Sequence, residues 1–165
     1  FDSVPNTLIA NAAVPGANSS HLLDYQVPQA VEVFQPSIIV MTVGGNDLLR
    51  ILGGIPPQAV LADFQANLTA ILARLRTGLP EARIVIGNLY SIPEIAGSDE
   101  VVPIFNQIVQ GVAAAFDVRV ADVHEAFQGR EGLLLIDRHG AGLFEVHPTN
   151  AGYLAMAQAF DKALR

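Results

Sequence analysis

Residues 37–47, S-I-I-V-M-T-V-G-G-N-D, constrain this chain more than any other stretch. A β-branched apolar run stops at two glycines, then presents an amide and a carboxylate. A strand that is apolar at consecutive rather than alternate positions is buried on both faces, as in a parallel sheet covered by helices. Such sheets bind their ligands in the crevice beyond the carboxyl ends of the strands. The turn 44–47 therefore marks where a site is expected.

The flanking segments alternate in the same manner. Residues 7–14 (TLIANAAV) read as a short strand ending in Pro15-Gly16. A helix starts at Ser19 or Ser20, is interrupted at Pro28 and resumes through Ala30, Val31 and Phe34. The central strand spans about 37–43, and residues 47–52 form a short helical turn closed by Gly53-Gly54 and Pro56-Pro57. A helix over 57–77 carries Leu61, Phe64, Leu68, Ile71, Leu72 and Leu75 on one face. A strand over 83–89 precedes a helix over 99–116, with Val101, Ile104, Phe105, Ile108 and Val112 on one side. A strand over 118–123 leads into a loop-rich stretch, 124–147. The last helix, 149–164, is read from Tyr153, Met156, Ala157, Phe160 and Leu164. Strands alternating with helices predict a parallel sheet with right-handed crossovers, in a single three-layer α/β/α domain over residues 1–165.

Composition removes several classes of function. Half of the residues are apolar and only 15% are charged, so the chain is not a disordered one. A net charge of −7 without a Lys/Arg cluster argues against nucleic acid or an anionic membrane surface as partner. No apolar run reaches the roughly 18 residues that span a bilayer. With no cysteine, disulfides, thiolate metal sites and a Cys nucleophile are excluded, but the compartment is not identified. Neither a GxGxxG fingerprint nor a P-loop is present, and no cofactor is called for.

Three loops at strand ends can meet in the crevice: Gly16, then 44–47, then His147. A loop glycine offers an unobstructed backbone N–H and an Asn side chain offers a second donor. Two donors aimed at one point make an oxyanion hole. His147 stands just before a helix start, with Pro148 read as its first residue, and a His held there can act as a general base. Together these suit acyl transfer. Each residue also has a structural reading. Gly16, like Gly44-Gly45, can serve only to supply a positive φ, and Asn46 and Asp47 can simply cap the helix that follows. Of the other histidines, His21 reads as a surface residue, His124 ends a strand and His139 lies in a polar loop. His and carboxylates are not spaced as metal ligands.

At these residues the chain resembles the SGNH (GDSL-type) hydrolases, a family of esterases, lipases, thioesterases and carbohydrate deacetylases. Residues 11–19 (NAAVPGANS) are similar to the family's second block, whose Gly donates an oxyanion N–H. Gly44-Gly45-Asn46-Asp47 matches the third block, Gly-x-Asn-Asp, whose Asn is the other donor. Residues 147–153 (HPTNAGY) resemble the fifth block, which carries the catalytic His. The resemblance runs from about residue 7 to the end. It implies Gly16 and Asn46 as the oxyanion hole, His147 as general base, a small ester as substrate and a flavodoxin-like strand order of roughly 2-1-3-4-5.

Two departures follow from the same comparison. The family's Asp stands three residues before the His, where this chain has Phe144. Glu145 is the nearest carboxylate; Asp137 or a backbone carbonyl are the alternatives. The first block, Gly-Asp-Ser, which supplies the nucleophile, is not matched. Asp2-Ser3 is similar only on its face, since Gly16 comes only thirteen positions after Ser3, which leaves no room for the helix the family places there. Ser91, just past a strand, is a more remote candidate. In the family's order, residues 7–14 are strand two and 37–43 strand three. Without strand one, each would border an empty slot about 4.8 Å wide. The expectation is a sheet lacking its first strand, with an N-terminal segment carrying that strand, the Ser and a helix supplied outside this sequence. The functional reading is a serine hydrolase of carboxylic esters. Its rivals are a non-catalytic, small-molecule-binding α/β domain and, more remotely, a receiver-like domain using Asp47 as acceptor.

Overall fold

The computed structural model describes residues 7–92, 95–135, 137–139 and 143–165, with 137–139 and 143–145 described through their backbone. In chain order the elements are α1 (19–34), β1 (Ile38–Thr42), α2 (Gly45–Leu52), α3 (Pro57–Gly78), β2 (Arg83–Gly87), α4 (Ser98–Ala115), β3 (Arg119–Ala121), α5 (Val123–Phe127), β4 (Asp137–His139), β5 (Leu143–Glu145) and α6 (Asn150–Leu164). The α/β class read from the sequence is the observed one.

Strands β1, β2 and β3 form a parallel sheet in that order, with β2 at its centre. The apolar run of β2 explains that place: four of its five residues are buried, and they alternate between two covered faces. Ile84 and Ile86 join the core formed with α3 and α4. On the opposite face, Gly87 lies against the Phe160 ring of α6 and leaves no room for a side chain there. Three layers result: α3 and α4, the sheet, then α6 with α5.

Helix α3 has Pro57 in its first turn and buries Val60, Phe64, Leu68, Ile71, Leu72 and Leu75. The buried stripe starts at Val60, and Leu61, expected on that face, is partly covered at its margin. Phe64 meets Phe105 of α4 with ring centroids 4.8 Å apart, within the favoured range for tilted aromatic pairs. The buried stripe of α4 is Val102, Phe105, Val109, Val112 and Ala113. Ile104 is exposed, because the buried face is centred on Val102 and Val109 and not on Val101 and Ile108. Tyr153 is likewise exposed on α6, whose buried residues are Gly152 and Ala155.

Three other expectations are corrected. Residues 7–14 form no strand; they run without regular structure, and Leu8 is 98% exposed. A strand exists only as a member of a ladder, and among the described residues nothing pairs with this one. Pro28 does not interrupt α1. The helix passes through it in wide turns, with Val27 N–H donating to the Leu22 carbonyl and Gln35 N–H to Ala30 five residues back. This i→i+5 spacing is the π-helical form. The stretch 124–147 holds more than loops, since most of α5 and the antiparallel hairpin β4–β5 lie in it. Short elements of three to five residues carry too little periodicity to be read.

Among the described residues strand β1 pairs only with β2, and nothing described pairs along its other side. Ile39 and Met41 pack on the core. Ile38 and Val40, which face the α6 side, are 46% and 48% exposed. A sequence apolar on both faces is thus covered on one.

Arginines close the amino-terminal end of the layers. The Arg76 guanidinium of α3 donates to the carbonyls of Ala82 at 2.7 Å, Asp117 at 2.8 Å and Phe116 at 3.0 Å. It thereby satisfies carbonyls left over at the end of α4 and before β2. Arg83 and Arg119, the first residues of β2 and β3, donate to the carbonyls of Leu164 and Ala163 in the last turn of α6. This contact orients α6 antiparallel to the strands and delivers its amino end to their carboxyl ends. Replacing Arg76 by Met, which keeps the aliphatic stem, removes all three donors. We expect a loss of about 2–4 kcal/mol in urea unfolding, with the m-value unchanged.

Candidate active site at the carboxyl ends of the strands

Gly16 occupies the third position of a turn, Val14-Pro15-Gly16-Ala17, closed by Ala17 N–H donating to the Val14 carbonyl at 3.1 Å. Its φ of +76° explains the glycine, since Pro-Gly at the two central positions is the signature of a type II turn. The position is exposed, and a Cβ there would meet nothing within 4 Å. Backbone conformation, not space, selects glycine here.

The turn is strapped to the amino end of α2. Asn46 Nδ2 donates to the Ala17 carbonyl at 2.8 Å. The Ser19 N–H donates to Asp47 Oδ2 at 2.9 Å and the Ser19 hydroxyl to Oδ1 at 2.7 Å. Asn67 Nδ2, from α3, donates to Ser19 Oγ at 3.0 Å. Asp47 is 1% exposed, so both oxygens of a buried carboxylate are occupied by Ser19, the first residue of α1. The expectation that Asp47 caps the helix that follows is corrected: it caps no turn of α2 and instead holds Ser19, 28 residues away. A receiver-like role, which requires an accessible acceptor carboxylate, is excluded by this burial.

Gly44 has φ +110° and lies 3.0 Å (from an ideal Cβ) against the Phe64 ring, with Leu89 at 3.4 Å. A side chain would fit neither the conformation nor the space. The apolar residues after Asn46 belong mainly to the core: Leu48 is buried, and Ile51 and Leu52 pack at its edge. A hollow of about 290 Å³ lies instead on the other side of the glycine turn, lined by Val14, Pro15, Gly16, Ala17, His21, Tyr25 and Gln26.

His147 is exposed on the segment between β5 and α6. Its carbonyl accepts from Leu135 N–H at 2.8 Å, and Thr149 N–H donates to the Leu133 carbonyl at 2.8 Å. Helix α6 begins at Asn150, with Thr149 as its N-cap accepting from Gly152 N–H. Pro148 thus precedes the cap instead of opening the helix. Gly152 explains part of the HPTNAGY pattern, since a Cβ there would strike the Leu133 carbonyl and Pro148. Glu145 lies in β5, in register with Asp137 of β4, so the two carboxylates considered for orienting His147 are backbone neighbours. Their side chains, and that of His139, lie outside the described residues, as do Asp2 and Ser3.

A second polar tie closes the neighbouring strand ends, and the sequence reading did not anticipate it. Asn88, the first residue after β2, donates through Nδ2 to Asp122 Oδ1 at 2.9 Å and accepts the His124 N–H at 2.8 Å. The available signal was positional: Asn88 follows its strand as Asn46 follows β1. Asp122 also accepts the Glu125 N–H as N-cap of α5. Burial pushes its carboxyl up, but the hydrogen bonds from Glu125 and Asn88, with His124 and Lys162 nearby, outweigh this and hold it below the ordinary value. Ser91 is half-buried three residues past Asn88. His21 is a surface residue beside Tyr25.

With this geometry in view, a family model for the GDSL-like lipase/acylhydrolase family matches residues 2–155. The chain belongs to that family. Among relatives, it is 29% identical over 145 residues to the spore germination lipase LipC of Bacillus licheniformis, across 80% of this chain. It spans 65% of that relative's length. Among solved structures, a lipase from a goat rumen metagenome superposes with a TM-score of 0.71 at 24% identity, over 88% of this chain and 73% of that one. An acetylxylan esterase from Geobacillus stearothermophilus gives 0.71 at 18% identity, over 90% and 68%. At these identities the structures establish the fold. Of the three loops singled out in the sequence, the glycine turn and the Gly-Gly-Asn-Asp turn are hydrogen-bonded to each other.

Two outcomes are expected. Asp47→Ala leaves the Ser19 donors unpaired, and should cost about 2–4 kcal/mol in urea unfolding while speeding amide exchange at residues 17–19. Because the folded-state carboxyl of Asp122 lies below its reference of 3.8, its contribution is present above that pH and is lost as pH falls through the folded value. Asp122→Asn should therefore flatten the acid limb of the stability–pH curve below about pH 4, measured by urea midpoints.

Proposed function

We propose that this chain forms the oxyanion-binding and general-base portion of a serine hydrolase acting on carboxylic esters. The observation that carries the reading is the strap joining the Gly16 turn to Asn46 and the buried Asp47 carboxylate at the carboxyl end of β1. Asn46 Nδ2 spends one hydrogen on the Ala17 carbonyl and retains the second for an oxyanion. The Gly16 N–H, at an exposed turn with no bulk beside it, is the other donor. Membership of an acylhydrolase family supplies the reaction class.

The steps follow from these roles. A serine hydroxyl attacks the ester carbonyl carbon while His147 takes its proton. The carbonyl oxygen becomes an oxyanion held by the Gly16 N–H and Asn46 Nδ2. Collapse breaks the bond to the alkoxy group, which leaves as the alcohol with the proton from His147. Water, deprotonated by His147, then attacks the acyl-enzyme, and the acid and the free serine are restored. Glu145 is the carboxylate proposed to orient the His147 ring.

The serine is proposed to come from an extended segment outside residues 1–165, seated along the open side of β1. Ile38 and Val40, half-exposed on a strand of core composition, support such a neighbour. So does the glycine turn, whose anchor at Asn46 brings residues 7–14 to the same strand end.

The test is fluorophosphonate labelling of the protein expressed from its own gene, read by intact mass and peptide mapping. We expect the label on a serine that is not among residues 1–165. Asn46→Ala should then lower kcat for a short-chain ester about 10²–10³-fold with little change in KM. A labelled serine within residues 1–165 would overturn the supplied-strand assignment. No label and no ester hydrolysis would overturn the hydrolase reading in favour of a ligand-binding domain.

A further inference from the structure

Tyr90 lies three residues past the end of β2, outside the motifs described above. Its hydroxyl donates to the carbonyl of Val146 at 3.0 Å, across 56 residues of sequence. Its ring stacks on Phe127 of α5, with centroids 4.6 Å apart and planes within 12°. Phe127 is itself buried in the small core formed by α5, α6 and Leu133. The phenol is therefore held by its ring and points its one donor at the peptide immediately before His147.

The consequence concerns how an exposed histidine keeps one orientation. The carbonyl after the His147 Cα is fixed by Leu135 N–H, and the segment beyond it by Thr149 and Pro148. The carbonyl before it is fixed by Tyr90. Together these bonds clamp both peptides flanking the His147 Cα, which restricts its φ and ψ and so the direction of its Cα–Cβ bond. A general base must sit within hydrogen-bond reach of the proton it takes, and a displacement of about 1 Å can cost about 10²-fold in rate.

We infer that Tyr90 is a positioning residue for His147, setting the direction of the imidazole through the Val146 peptide without touching the substrate. The inference deepens the hydrolase reading and takes its rate consequence from it, but its geometric part can be measured on the chain itself.

The experiment compares wild type with Tyr90→Phe, which keeps the ring and removes the donor. Imidazole ¹H–¹⁵N spectra are recorded, the His147 signals being assigned by their loss in His147→Gln. We expect the His147 signals of Tyr90→Phe to broaden or split, while those of His21 and His124 stay in place and Tm falls by about 2–4 °C. In protein carrying the serine, kcat should fall about tenfold with KM unchanged. Phe127→Leu, which keeps the hydroxyl but loosens the ring, should broaden the same signals to a smaller extent. Unchanged His147 signals in Tyr90→Phe overturn the inference, as does movement of all the histidine signals together, which is general loosening. A wild-type protein that hydrolyses no ester overturns the hydrolase reading alone, since the His147 spectra still decide the geometry.

Discussion

The common direction of β1, β2 and β3 governs this molecule. In a parallel ladder every strand leaves at the same edge, so the loops that follow must gather there whatever their sequence. The arrangement is enforced from the opposite edge. Arg83 and Arg119 start their strands and hold the carboxyl end of α6, while Arg76 joins the ends of α3 and α4 to the chain entering β2. With α6 anchored by its last turn, its first turn and His147 have nowhere to lie but at the carboxyl edge. Cations thus sit on leftover carbonyls at one end of the layers, and the polar side chains Asn46, Asp47, Asn88 and Asp122 gather at the other.

At that carboxyl edge the work is divided between two carboxylates of different burial. Asp47 is removed from water and bonded twice by Ser19, so it acts as a fixed rivet between the glycine turn and α2. Removing either partner would leave the other buried without compensation, which is what makes such a pair rigid. Asp122 remains accessible and joins β2 to α5 through Asn88. The motif residues named for chemistry are therefore carried on a lattice of side chain to backbone bonds. Stiffness of that kind is what an oxyanion hole requires, since its donors must be aimed before charge develops.

The open side of β1 is the counterpart of this order. Its residues have the composition of a central strand and the exposure of an edge one. Edge strands in native proteins are generally short, charged or covered, and a run such as I-I-V-M-T is none of the first two. Among the described residues, the ladder groups on that side of β1 have no strand partner.

Much of this was legible in the residues themselves. The uninterrupted apolar run at 37–43 required a strand of a parallel sheet, although the structure covers it on one face only, and the i, i+4 repeat of α3 required a long amphipathic helix, because that pattern reports burial directly. The motif order Gly16, Asn46, His147 also stands in the sequence, since turns and helix starts demand particular residue types. Other features belong to the tertiary structure alone. Residues 7–14 have the composition of a strand, but pairing depends on a neighbour that composition does not supply. Which carbonyl Tyr90 holds, which loop Asp47 rivets and which strand end Asn88 closes are contacts spanning 28 to 56 residues. No local period encodes them, because they depend on where the sheet and α6 bring distant segments together. Sequence determined the elements and their chemistry; packing decided which of those groups hold one another still.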